Sequence, residues 1–90
     1  MIEKTKIKLI VNADDFGISP GVNRAIEKGH REGIINSTSL MVNLSYTEEA
    51  VKISRNLDNL NVGLHLNLTN EKAISSPEAI PMLVNKEGKF

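Results

Sequence analysis

The sequence contains no cysteine and no tryptophan, and only one tyrosine and two phenylalanines in 90 residues. Without thiols, both disulfides and thiolate metal sites are excluded, and the lack of stapling fits a reducing compartment. Charge of one sign is also missing, since eleven basic side chains balance eleven acidic ones. A nucleic-acid partner calls for a basic stripe and a membrane surface for a basic cluster, so neither partner is expected. No stretch reaches transmembrane length. The opening MIEKTKIKLIVNADD has an apolar run too short for a secretory core, followed at once by two acids. A cytoplasmic protein is expected, and the Asn-x-Ser/Thr triplets at Asn36, Asn43 and Asn67 read as chance matches. Gly17 and Gly21 make neither a dinucleotide fingerprint nor a Walker loop.

Ninety residues allow one small domain that buries roughly 60 to 65% of its unfolded surface. Lys6 to Ala13 is rich in Ile, Leu and Val and reads as a strand. ISPGVNRAIEKGHREG reads as a helix, with Ser19 as N-cap, Pro20 in the first turn and Gly33 as a left-handed exit. Its apolar face collects Val22, Ala25, Ile26, Gly29 and His30. Ile34 to Asn43 is a second strand. SYTEEAVKISRNL is a second helix, with Ser45 and Glu48 at capping-box spacing and Ala50, Ile53 and Leu57 as its stripe. Asn61 to Leu68 is a third strand. Alternation of this kind predicts parallel βαβ units with right-handed crossovers. Residues 70–90 change character, with two prolines, a helical turn after Ser76, and a small hairpin pairing Leu83–Val84 with Lys89–Phe90.

Strand parity then separates the faces. Ile7, Leu9, Val11 and Ala13 share one face of the first strand, and Ile10, Asn12 and Asp14 the other. On the third strand Val62, Leu64, Leu66 and Leu68 oppose Gly63, His65 and Asn67. A strand that is greasy on one side and polar on the other fits the inside of a barrel better than a doubly wound sheet. The expected fold is therefore α/β, with the parallel strands of a βαβαβ unit forming part of a barrel. Asp14, Asp15, Asn43 and His65 should converge at the C-terminal ends of its strands.

Adjacent carboxylates repel, so Asp14 and Asp15 call for water, a cation, or a shared proton. The plain reading of the pair is a solvated loop capping the first helix, and of His65 a hydrogen-bonded core histidine. The alternative is a metal site, since carboxylate plus neutral imidazole is a common partial ligand set and a divalent cation would remove the repulsion. His30 lies far from the strand ends and reads as packing. Asn12, Asn43 and Asn67 read as hydrogen-bonding supports.

The stretches VNADDFGISPGVNRAI, GIINSTSLMVN and VGLHLNLT, with the tail PMLVNKEGKF, resemble the YdjC-like carbohydrate deacetylases, the chitooligosaccharide deacetylase family. The resemblance covers essentially the whole chain. It implies a TIM-like barrel and metal-dependent removal of N-acetyl groups from amino sugars such as chitooligosaccharides. Carried over by position, Asp15 matches the family's metal-binding aspartate, His65 its first metal-binding histidine, and Asp14 the carboxylate proposed as general base. The implied cofactor is a divalent ion, magnesium or zinc, and the implied partner an N-acetylated oligosaccharide. The family's second metal-binding histidine falls beyond Phe90. Residues 1–90 are thus expected to be one partial domain, with 1–69 forming the barrel portion and 70–90 an excursion. Either further chain or a second copy, as a homodimer, would cover the exposed sheet edge. Two rival readings stand beside this one. A magnesium-binding phosphoacceptor domain needs an aspartate at the third strand's end, where this chain offers His65, Asn67 and Thr69; the other rival is a non-catalytic metal-binding fragment.

Overall fold

A computed structural model describes residues 6–90; the opening MIEKT lies outside the described residues. Three parallel strands and two helices alternate as β1 (Asn12–Phe16), α1 (Pro20–Arg31), β2 (Ser37–Leu40), α2 (Thr47–Ser54) and β3 (Asn61–Leu64). The sheet order is β1-β2-β3, with both neighbouring pairs parallel. The expected alternation is therefore present, but every strand is shorter than expected and the first is displaced.

The displacement has a physical cause. Residues 6–11 have the composition of a strand but run ahead of the start of β2, so no ladder reaches them. Asn36 takes the place of a partner strand, accepting from Val11 N–H at 2.8 Å and donating to the Leu9 carbonyl at 2.8 Å. Ile7, Leu9 and Ile10 are consequently exposed, Ile7 by 89%. NADDF is itself β1, so the acidic pair lies inside a strand and not after one.

The core is formed by Phe16, Ile26 and Ala50, with Ala13, Val22, Leu40 and Ile53 packed around them. Both helices contribute, so both lie on one side of the sheet. Thr38 is buried on this side and donates from Oγ1 to the Ala13 carbonyl at 2.7 Å. On the opposite side Ser37 donates to Asn12 Oδ1 at 2.7 Å, and Asn12 Nδ2 donates to Ser39 at 3.0 Å and Asp14 at 3.0 Å. A helix-covered apolar face and a polar face made of Asn12, Asp14, Ser37 and Ser39 is the division that parity anticipated. On β3 the register places Val62 and Leu64 opposite Thr38 and Leu40, yet all four residues of the strand are exposed. The parity of β3 is apolar on the expected side, but among the described residues no helix covers it. Extension shows in the radius of gyration, 16.9 Å against about 12 Å for a compact chain of this length.

Helix α1 begins as its sequence dictates. Ser19 is extended and its Oγ accepts from Val22 N–H at 3.1 Å, while Pro20 occupies the first turn without wasting a donor. Ser19→Ala should cost about 1 kcal/mol, read as a lower denaturation midpoint at unchanged slope; an unchanged midpoint would show that the cap contributes nothing. The buried face is turned from the expected one, centring on Asn23 and Ile26 while Ala25 is exposed. The exit differs too. Glu32 is the C-cap in a right-handed conformation, and Gly33 is needed because a Cβ there would sit 2.7 Å from the Gly29 carbonyl oxygen.

Helix α2 lacks the expected capping box. Tyr46 stands at its N-cap without a side-chain bond. Thr47 does the local work instead, accepting from Leu44 N–H at 3.1 Å and donating to the Met41 carbonyl at 2.8 Å. Ala50 is buried and Leu57 is buried just beyond the helix, as the stripe required. In residues 70–90, Lys89 pairs with Lys72 and not with Leu83–Val84: Ala73 N–H donates to Gly88 O at 2.8 Å and Phe90 N–H to Glu71 O at 3.1 Å. Asn85 closes the tight turn by accepting from Glu87 and Lys89 amides. The segment after Ser76 forms hydrogen-bonded turns and no helix.

Candidate metal and catalytic site

Plain alternation fails inside NADDF. Ala13 pairs with Thr38 and Phe16 with Leu40, so Asp14 and Asp15 together face the single residue Ser39. This is a β-bulge, and the surplus residue is Asp15, at φ +67°. The bulge lets Ala13 and Phe16 both turn toward the helices although three positions separate them. It also redirects the acids. Asp14 stays on the polar face with Asn12, whereas Asp15 reaches across the end of β2 toward β3.

His65 is waiting there. Its backbone extends the ladder, donating to the Leu40 carbonyl at 2.9 Å. Its Nδ1 lies 3.4 Å from Asp15 Oδ1. The spacing is that of an ion pair, but the geometry is not that of a hydrogen bond. Nδ1 is shut off from solvent and has no hydrogen-bond partner among the described residues. A buried imidazole nitrogen left unpaired beside a carboxylate is costly unless something else binds both. A separation of 3.4 Å suits two donors sharing one cation with arms of about 2.1 Å. The residues present therefore fit a divalent ion, with Asp15 and His65 as two of its ligands. Among the described residues no group of three His, Cys, Asp or Glu side chains gathers into a complete site.

Of the residues predicted for the site, Asp15 and His65 meet directly. Asp14 is one step away, held by Asn12 and exposed. Asn43, also at positive φ, follows β2 and lines an open cavity of about 300 Å³ with His65, Leu66, Leu68, Ile80 and Phe90. Its amide comes within 3.5 Å of the Lys72 carbonyl. Asn67 has left the strand and organises a turn, accepting from Thr69 and Asn70 amides and donating to Asn70 O at 2.6 Å. His30 is a packing residue, its Nδ1 donating to the Ile35 carbonyl at 2.7 Å. Asn23, fully buried, escaped the sequence reading. The available signal was an amide interrupting the apolar stripe between Val22 and Ile26. Among the described residues no helix is long and apolar enough to cross a membrane.

Comparison of the sequence with known proteins shows its family. The sequence profile described as YdjC-like protein matches residues 8–90. A carbohydrate deacetylase of Brevibacillus brevis is 48% identical over 84 residues, which are 93% of this chain and 33% of that protein. One from Thermoanaerobacter pseudethanolicus is 43% identical over 82 residues, 91% of this chain and 33% of its own length. One from Vibrio cholerae is 46% identical over 63 residues, 70% of this chain and 25% of its own length. The chain spans about a third of the length of the first two relatives. With the profile running from the approach to β1 through to Phe90, the chain belongs to the YdjC-like family.

Proposed function

We propose that residues 1–90 carry the first part of the active site of a metal-dependent carbohydrate N-deacetylase. In this reading the strands are the first three of a TIM-like barrel, and the substrate is an N-acetylated amino sugar such as a chitooligosaccharide. The observation that carries the reading is the solvent-shielded, unpaired Nδ1 of His65 facing the Asp15 carboxylate at the C-terminal end of a parallel sheet. The names of the relatives supply the substrate class. Placement of both helices on one side and of polar side chains on the other supports the barrel.

Hydrolysis breaks the amide C–N bond, joins a water oxygen to the acyl carbon, and yields acetate and a free amine. Asp15 and His65 would hold the divalent ion, magnesium or zinc, which when bound polarises the acyl oxygen and acidifies water. Asp14, on the polar face beside them and tethered through Asn12, is placed to take the proton from the attacking water. The tether holds Asp14 through its Oδ1 while the side chain stays exposed. The cavity beside His65 offers aliphatic walls and the Asn43 amide, suited to a sugar's apolar face and acetyl methyl.

The test is a chimera in which residues 1–90 are followed by the corresponding remainder of the Brevibacillus relative. It should release acetate from N-acetylated chitooligosaccharides. Asp14→Asn in that protein should retain its metal and lose at least the roughly 100-fold in kcat that positioned general bases contribute. Turnover equal to the parent's would remove Asp14 from the role of base.

A further inference from the structure

Asn23 is fully buried, and three of its four hydrogen-bonding positions are occupied. Its Oδ1 accepts from Gly17 N–H at 2.7 Å; its Nδ2 donates to the Tyr46 carbonyl at 3.1 Å and to Glu49 Oε1 at 3.1 Å. These partners fix the amide's orientation, because only its oxygen can meet an N–H and only its nitrogen can meet two oxygens. The contact with Gly17 matters most. Asp15 to Ile18 form a turn closed by Ile18 N–H donating to Asp15 O at 3.1 Å, with Gly17 at φ +99° in the position that demands positive φ. That closing bond leaves the Gly17 N–H unused, and Asn23 takes it. The turn starts at Asp15, the left-handed residue whose carboxylate faces His65.

We propose that Asn23 is a positioning residue of the site: by gripping the Gly17 amide it locks the turn that presents Asp15 to His65. Its second hand, on Tyr46 and Glu49, anchors the grip to the start of α2, which follows the Asn43 loop. Asn23 touches neither Asp15 nor His65, so it acts only through the backbone between them. The proposal rests on Asp15 and His65 forming the site, but its first test needs no metal.

In the unsubstituted chain, Asp15 β-protons and the His65 ring should show a nuclear Overhauser contact. Asn23→Ala should lose it. Asn23→Asp, which keeps an acceptor for Gly17 N–H while opposing Glu49, should destabilise the chain yet retain the contact. Ile26→Val, equally buried on the same helix face, should also destabilise without affecting it. Retention of the contact in folded Asn23→Ala overturns the proposal. Where Asn23→Ala does not fold, the reciprocal measurement decides. Asp15→Ala, which disfavours the left-handed step, should speed hydrogen exchange at Gly17 N–H about fivefold relative to Arg55 N–H, which is bonded to Val51 O at the end of α2; equal exchange overturns the proposal. In a zinc titration of the chimera that completes the site, Asn23→Ala should weaken binding about 10- to 100-fold, the range for residues that orient a ligand, while Ile26→Val should not. If zinc fails to bind the unsubstituted chimera, it is the metal reading that falls, because the contact and exchange measurements judge Asn23 without it.

Discussion

In the chimera that completes the site, Asp15→Asn will leave the protein folded and lower its zinc affinity by on the order of a hundredfold or more, exceeding what residues behind the ligands contribute. The two effects separate because position 15 makes two different demands. The backbone demands a residue that tolerates φ +67°, and asparagine meets this at least as well as aspartate. The proposed metal site demands a carboxylate where Asp15 stands, 3.4 Å from His65 Nδ1, and a neutral amide oxygen is a much poorer partner for a divalent ion. Asp15→Ala confounds the two, since it removes the ligand and also places an ordinary Cβ residue in the left-handed region at a cost of about 1–2 kcal/mol. The informative comparison is therefore the asparagine variant, with denaturant midpoint and zinc titration measured on one preparation. Equal affinity in parent and variant would remove Asp15 from the ligand set. A lower midpoint would instead show that the Asp15 charge stabilises the fold without metal.

Position 15 also shows where the sequence was legible and where it was not. Strand order brings the ends of β1 and β3 to one end of the sheet, and parity put Asp14 on the His65 side. That Asp15 is the acid facing His65 came from the family resemblance, since plain alternation sends Asp15 to the helix side. How they meet did not follow. Alternation assumes two residues per repeat, and nothing in NADDF marks the insertion that sets two acids against Ser39. The clue was indirect: only a break in alternation lets Ala13 and Phe16 share a face. The strand at residues 6–11 was overread because β-branched composition reports a preference for a pleated surface, not the presence of a neighbour to pair with. The capping box of α2 failed for a similar reason. Ser45 and Glu48 have the spacing, but Thr47 is tied to Leu44 and Met41 and starts the helix after Tyr46. Local chemistry located the elements; tertiary partners set their ends.

The bulge is held from below by Phe16, and its truncation should have the largest effect on stability of any single change. Phe16 is 0% exposed, adjoins the left-handed Asp15, and packs with Ile26 of α1 and Ala50 of α2. Phe16→Ala removes the ring from a core with few other large side chains, at a cost of about 3–5 kcal/mol. A domain of this length has a total stability of about 5–13 kcal/mol, so the variant should lose a large share of it. Its melting midpoint should fall on the order of 20 °C. Phe16→Leu, which keeps most of the volume, should lose about 1 kcal/mol. The pair isolates packing from backbone conformation, because both replacements are ordinary residues in the same strand. The site should respond as well: with the ring gone, residue 16 is held across from Leu40 only by its backbone bond to Met41 N–H and by the Asn23 grip on Gly17. That pairing is what forces two acids opposite Ser39. Zinc affinity should therefore fall in Phe16→Ala even below its melting midpoint, and recover in Phe16→Leu. A loss of less than 1 kcal/mol in Phe16→Ala would show that the core is centred elsewhere. Undiminished zinc binding in the folded variant would show that the bulge stands without the ring beneath it.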